Sequence, residues 1–226
     1  MSEIALKYNH IIFDLDGTVT DSQEGILQSL RYSFMRMKGN IPSDEILRSY
    51  IGLTLEEIYI RELGTEDTSV IRQAVDFYRE NFAEEGLYRN RLYQGIDSVI
   101  RDIHDSGAHL YIASIKPALY STDILDNFKL KDYFRFIVGS NLDGSNSTKE
   151  KLISIVLDRH PDIETRRCIM FGDRKKDIEG AKFNGIASAG IVYGYGAYEE
   201  IVSAEPDYIV NRPRGIMDVL RGENNG

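Results

Sequence analysis

The chain has 226 residues, a formal net charge of −9 and a single cysteine, Cys168. That charge opposes the phosphate backbone of a nucleic acid polymer, and a lone thiol excludes an intrachain disulfide. No apolar run approaches the roughly 20 residues that cross a bilayer. The amino terminus also lacks a basic segment followed by an apolar one, so no secretory leader is expected. A globular protein of a reducing compartment, the cytoplasm, is the expectation, with no membrane partner and nothing readable of its oligomeric state.

In chain order, residues 8–14 read as a covered strand, because Ile11, Ile12 and Phe13 are consecutively apolar. A helix is predicted over about residues 22–38, with Ile26, Leu30 and Phe34 at helical spacing and Asp21 and Glu24 as a capping-box pattern. Gly39 to Pro42 breaks it. Helices follow from about Ser43, after Thr54 with Glu57 in the capping position, and over 67–84, with no strand read among them. After Gly95 strand and helix alternate: a helix near 97–106, "HLYIAS", a helix after Pro117, "FRFIVGS", a helix from about Thr148, "CIMFGD", a helix near 175–183, "IASAGIVYG", a short helix, "DYIV" and a last helix after Pro213. Such alternation marks βαβ units and a parallel sheet covered on both faces. The expected fold is therefore an α/β core of three layers with a Rossmann-like parallel sheet, formed by residues 1–20 and 93–226. A helical cap, residues 21–92, is inserted in it.

In open parallel sheets ligands bind beyond the carboxyl ends of the strands. Asp14 and Asp16 end the first strand, Ser114 the second, and Asp173 the "CIMFGD" strand, with Asp177 four residues on. Lys149 falls in the first turn of its helix, where Ser147 and Glu150 form a candidate capping box. Read singly, these are a turn residue, a helix cap, a hydroxyl and a surface lysine. Three apolar strands ending in polar groups on one rim is the pattern those readings leave unexplained. Other motifs fail. An EF-hand loop starting at Asp14 would need Gly and Glu where Val19 and Gly25 stand. The dinucleotide pattern begun by Gly194 and Gly196 meets Glu199 at its third glycine.

With "DLDGT" after an apolar strand, Ser114 in "IASIKP", Lys149, and Asp173 and Asp177 in "FGDRKKDI", the sequence resembles the haloacid dehalogenase superfamily in its phosphatase branch. It looks most like the phosphoglycolate phosphatase-like group and, through "GDRxxDIxGAxxxGI", its 5′-nucleotidase-like members. The resemblance spans essentially the whole chain. It implies a hydrolase of small phosphorylated metabolites working through an aspartyl-phosphate. Asp14 would be the nucleophile, Asp16 general acid and then base, and Lys149 the charge balance beside them. Thr18, in the Asp16–Thr18 turn, Ser114 and Lys116 would contact the phosphate. Mg2+ would be held by Asp14, the Asp16 carbonyl, Asp173 and Asp177. The segments "DGTVTDS" and "LYQG" would be hinges for the cap. Two stretches depart from the group: Ile115 stands where relatives often carry a small polar residue, and "IGLTLEE" differs from their usual "GPPL" wording.

The need for a metal follows from charge. An ester dianion and three carboxylates face one lysine, so a hard divalent ion is required to offset the excess. Two rivals share the fold. A phosphomutase of the β-phosphoglucomutase type would carry His and Lys early in the cap, where "QEGILQSL" has neither. A non-catalytic regulatory module would have lost Asp14 or Asp16, and both are present.

Overall fold

The computed structural model describes residues 6–142 and 145–223. Residues 1–5, on which the expectation of no leader partly rests, lie outside this set. Among the described residues no helix is long and apolar enough to cross a membrane.

The chain runs β1 (His10–Phe13), β2 (Thr20–Asp21), α1 (Gln23–Arg36), α2 (Asp44–Ser49), α3 (Leu55–Leu63), α4 (Thr68–Glu84), β3 (Arg91–Leu92) and α5 (Ile96–Asp105). It continues through β4 (His109–Pro117), α6 (Ala118–Asn127), β5 (Phe134–Ser140), α7 (Lys149–Arg159), β6 (Cys168–Gly172) and α8 (Lys175–Phe183). The last elements are β7 (Ala187–Ile191), α9 (Tyr198–Ser203), β8 (Tyr208–Val210) and α10 (Gly215–Leu220). Two compact units result, Met1–Asp21 with Leu92–Gly226, and Ser22–Arg91.

The first unit holds a six-stranded sheet in the order β5-β4-β1-β6-β7-β8, every ladder of it parallel. Apart from His10, the central strands β1 and β6 are apolar and fully covered, as a sheet flanked on both faces demands. Alternate residues part to opposite faces. Ile12, Tyr111, Ala113, Cys168 and Met170 pack with Leu152, Ile153 and Val156 of α7 and Ala181 of α8. The other set, Ile11, Phe13, Ile112 and Phe171, is equally buried, and α5 and α6 pack against β4.

Register sets the rim. Phe13 pairs with Ile112 on one side and with Phe171 on the other. Asp14 and Asp173, just past the ends of β1 and β6, and Ser114, within β4, therefore stand at nearly the same level on three neighbouring strands. β4 does not end at Ser114 as expected; it runs to Pro117 through an irregularity in its pairing with β5.

The second unit is helical. Its helices α1 and α4 bury Leu30 and Phe34 with Ala74, Val75 and Phe82, and Ser33 donates from its hydroxyl to the Ala74 carbonyl at 2.7 Å. Thr54 and Glu57 form the expected capping box of α3. The Asp21–Glu24 box does not form. Ser22 occupies the cap position of α1 but its side chain does not accept from the helix amides; Glu24 instead pairs with Arg89 and Arg91, and Asp21 lies in β2. The strands β2 and β3, which the sequence reading did not contain, pair with each other.

Candidate active site

Asp14 follows β1 directly, and its Oδ1 accepts from the Leu15 amide at 2.7 Å. Gly17, at φ +85°, turns the chain back; a Cβ there would stand 2.0 Å from Asp173 Oδ2, so both the conformation and the close approach require glycine. Asp173 follows β6 and is fully buried. It does not cap α8, the alternative that the sequence left open. Arg174 holds that position, while Asp173 Oδ2 accepts from the Tyr195 amide at 2.7 Å. Asp177, in the first turn of α8, accepts from the Arg174 amide at 3.0 Å.

Lys149 opens α7, but its cap is Thr148, whose hydroxyl accepts from the Lys151 amide, and not the expected Ser147. The side chain is buried. Its Nζ lies 2.7 Å from Asp14 Oδ1 and 2.7 Å from Asp177 Oδ1, and donates to the Ala113 carbonyl at 2.9 Å. Burial works against this charge, yet Asp14 and Asp177 raise the Lys149 pKa above its ordinary value.

One carboxylate oxygen from each of Asp14, Asp173 and Asp177 lies within 4.8 Å of the others. All three groups are buried, and Asp173 Oδ1 has no hydrogen-bond partner among the described residues. Burial, then Asp14 and Asp177, push the Asp173 carboxyl well above its usual range. Burial raises Asp177 to about 6, with Lys149 opposing and Asp14 adding to the shift. Three converging carboxylates, one with an unpartnered oxygen and two sharing a single ammonium, suit a small divalent cation.

The remaining sequence candidates lie near the same end of the sheet. Asp16 pairs through Oδ2 with Lys116 Nζ at 3.0 Å, so Lys116 sits on Asp16 in the resting chain. The Ser114 hydroxyl is buried and accepts from the Lys116 amide at 3.4 Å. The Thr18 side chain is buried, and its hydroxyl has no partner among the described residues; its carbonyl accepts from the Tyr193 hydroxyl at 2.9 Å.

Residues 11–191 match the family model described as haloacid dehalogenase-like hydrolase. The chain belongs to that family. This hydrolase is 36% identical over 220 residues to a 5′-nucleotidase of Pseudomonas aeruginosa, covering 97% of this chain and 99% of that one. It is 25% identical over 217 residues to a phosphoglycolate phosphatase of Vibrio vulnificus, covering 93% and 95%. Among solved structures, a protein of Clostridium acetobutylicum described as a predicted phosphatase superposes with a TM-score of 0.86 at 38% identity, over 93% of this chain and 99% of that one.

In the sequence of this hydrolase the loop after β7 shows only as an incomplete dinucleotide pattern at Gly194 and Gly196. In the fold a Cβ at Gly194 would meet the Gly17 carbonyl at 2.3 Å and Asp173 Cβ at 2.5 Å. The glycine admits the loop against Asp173, whose carboxylate the next amide then binds. The signal present in the sequence was a small-residue pair flanked by tyrosines at the end of an apolar strand.

Proposed function

We propose that this hydrolase is a Mg2+-dependent phosphatase of small phosphate monoesters that works through an aspartyl-phosphate on Asp14. The single observation that carries the reading is the buried trio Asp14, Asp173 and Asp177, in which one lysine bridges Asp14 and Asp177. Such an assembly is costly unless a cation joins it. Asp14, Asp173 and Asp177, with the Asp16 carbonyl, would hold the ion. When bound, it supplies positive charge against the carboxylates and the phosphoryl oxygens.

Asp14 is the nucleophile. Its Oδ1 is engaged by Lys149 and the Leu15 amide, which fix the carboxylate and leave its other oxygen to attack phosphorus in line. Asp16, protonated from solvent once Lys116 has left it for the dianion, gives that proton to the leaving alkoxide and then draws one from the water that hydrolyses the acyl phosphate. Lys116, held by Asp16 before substrate arrives, turns its ammonium to the incoming dianion. Ser114 and amides of the Asp16–Thr18 turn donate to the phosphoryl oxygens. The helical unit 22–91 acts as the cap that selects the leaving group. Identity to a 5′-nucleotidase over nearly the whole of both chains favours nucleoside 5′-monophosphates, ahead of phosphoglycolate and sugar phosphates.

The test is phosphate release from a panel of these esters by purified protein with magnesium, with Asp14→Asn as control. Release from at least one ester is expected, falling by about a thousandfold or more in the variant. Turnover retained by Asp14→Asn would contradict the covalent route.

A further inference from the structure

The phosphatase mechanism leaves unused a cluster of three half-buried tyrosines, Tyr93, Tyr193 and Tyr195. Each engages the first unit's crossing segments. The Tyr195 hydroxyl donates to Asp21 Oδ1 at 2.8 Å, while the Tyr195 amide donates to Asp173 Oδ2 at 2.7 Å. The Tyr193 hydroxyl donates to the Thr18 carbonyl at 2.9 Å. The Tyr93 ring meets Tyr193 edge-on at 4.8 Å between centroids, and its amide donates to the Val19 carbonyl at 3.3 Å. One residue thus has its backbone on a buried carboxylate of the acidic trio and its side chain on Asp21. Asp21 is the last residue before the inserted helices.

We propose that Tyr195 is a positioning residue, a strap that couples cation occupancy at Asp173 to the placement of the Thr18–Asp21 segment, with Tyr193 as its second anchor. The proposal depends on the reading above only in taking Asp173 as a cation ligand. The physical chain is short. A cation drawn to Asp173 fixes the carboxylate, and a fixed carboxylate fixes the Tyr195 amide at 2.7 Å. The flanking residues Gly194 and Gly196 lie so close to Gly17 and Asp173 that a Cβ on either would clash. The loop therefore has little room to move without its hydroxyl anchor following. By reciprocity, loosening that anchor weakens the cation.

The test uses the full chain, magnesium chloride alone and Tyr195→Phe, which keeps the ring and the backbone amide. Calorimetric magnesium affinity and hydrogen exchange of amides 18–21 are the readouts. In the wild type, magnesium should slow exchange at these amides. In Tyr195→Phe, affinity should fall by about fivefold, the low end of typical couplings, and the magnesium-induced slowing should shrink, with little change in melting temperature before metal is added. Asp21→Ala should reproduce the affinity defect, and the double variant should be no worse than either single one. Wild-type affinity and exchange in Tyr195→Phe, additive defects in the double variant, or no magnesium effect on 18–21 in the wild type would each overturn the strap. Neither readout needs a phosphate ester, so a chain that hydrolyses none fails the phosphatase reading without touching this test.

Discussion

Lys149 bridges Asp14 and Asp177, its Nζ 2.7 Å from an oxygen of each, with all three side chains buried. Its third donor is spent on the Ala113 carbonyl of the neighbouring strand. The ammonium is therefore a structural tie between β1, β4 and α8 as much as a chemical group. Asp173, the third carboxylate, receives none of its donors.

Removing that ammonium leaves two buried carboxylates without their cation. Lys149→Ala should destabilise the protein by about 3–5 kcal/mol, a fall in melting temperature on the order of 10 °C. Turnover at a temperature where the variant is still folded should drop by about a hundredfold or more. Magnesium should restore part of the melting temperature, because it supplies charge to the same oxygens. Thermal unfolding with and without magnesium, beside the rate, checks all three. A variant as stable and as fast as the wild type would remove Lys149 from the site.

Protons and the cation compete for the trio. Asp177 titrates at about 6 and Asp173 lies well above its ordinary range, both mainly through burial. A carboxyl whose folded pKa is raised binds its proton more tightly folded than unfolded. Its contribution to stability is thus full below the unfolded value, about 4, and is lost as pH rises through about 6. Metal binding requires the ionised forms. Magnesium affinity should therefore be at least about tenfold weaker at pH 5 than at pH 7. The rise in melting temperature on adding magnesium should likewise be smaller at pH 5. Titration calorimetry at the two pH values decides; equal affinities would mean that these carboxylates do not hold the ion.

The β7 loop offers a steric test. A methyl at Gly194 meets the Gly17 carbonyl at 2.3 Å and Asp173 Cβ at 2.5 Å, and neither is the free end of a flexible side chain. Gly194→Ala should cost about 1–3 kcal/mol and weaken magnesium binding, since the clash bears on Asp173 itself. Gly39→Ala, where the nearest atom stands at 3.8 Å, serves as the control and should leave melting temperature and affinity unchanged.

The core and the acidic rim were legible because both follow from local pattern. Consecutive apolar residues in Ile11–Phe13 and Cys168–Phe171 dictate covered strands, and a parallel register then carries Asp14 and Asp173 to one edge. Helix caps were less legible. Asp21 and Glu24 have the right spacing for a box, but stronger partners claim them, the Tyr195 hydroxyl and the Arg89 and Arg91 guanidiniums. Thr148 and Ser147 are adjacent hydroxyls, and only the folded backbone brings the first of them to the Lys151 amide. The Lys116–Asp16 pair and the Gly194–Tyr195 contact with Asp173 join residues far apart in sequence. No periodicity encodes such a contact; it exists only once the strands are ordered.

At the opposite end of β1 the same sheet carries a titratable cluster that bears on stability. His10 is buried at the first position of β1. Its Nδ1 lies 3.1 Å from the Tyr111 hydroxyl, and its ring lies 5.3 Å from that of His109. Burial lowers its pKa from the ordinary value, with His109, Arg135 and Arg167 adding to the shift and Asp162 opposing it. The sign is that of a group kept neutral by folding: its contribution is present above about 6.5 and is lost as pH falls through the folded value. His10→Phe keeps a ring in the site and removes the titration. The wild type should therefore lose more melting temperature between pH 7 and pH 5 than the variant does, both measured with a chelator so that the acidic trio contributes equally. His160, lowered in the same direction by burial, leaves the variant some residual slope. Identical slopes in the two proteins would show that His10 accepts its proton without cost to the fold.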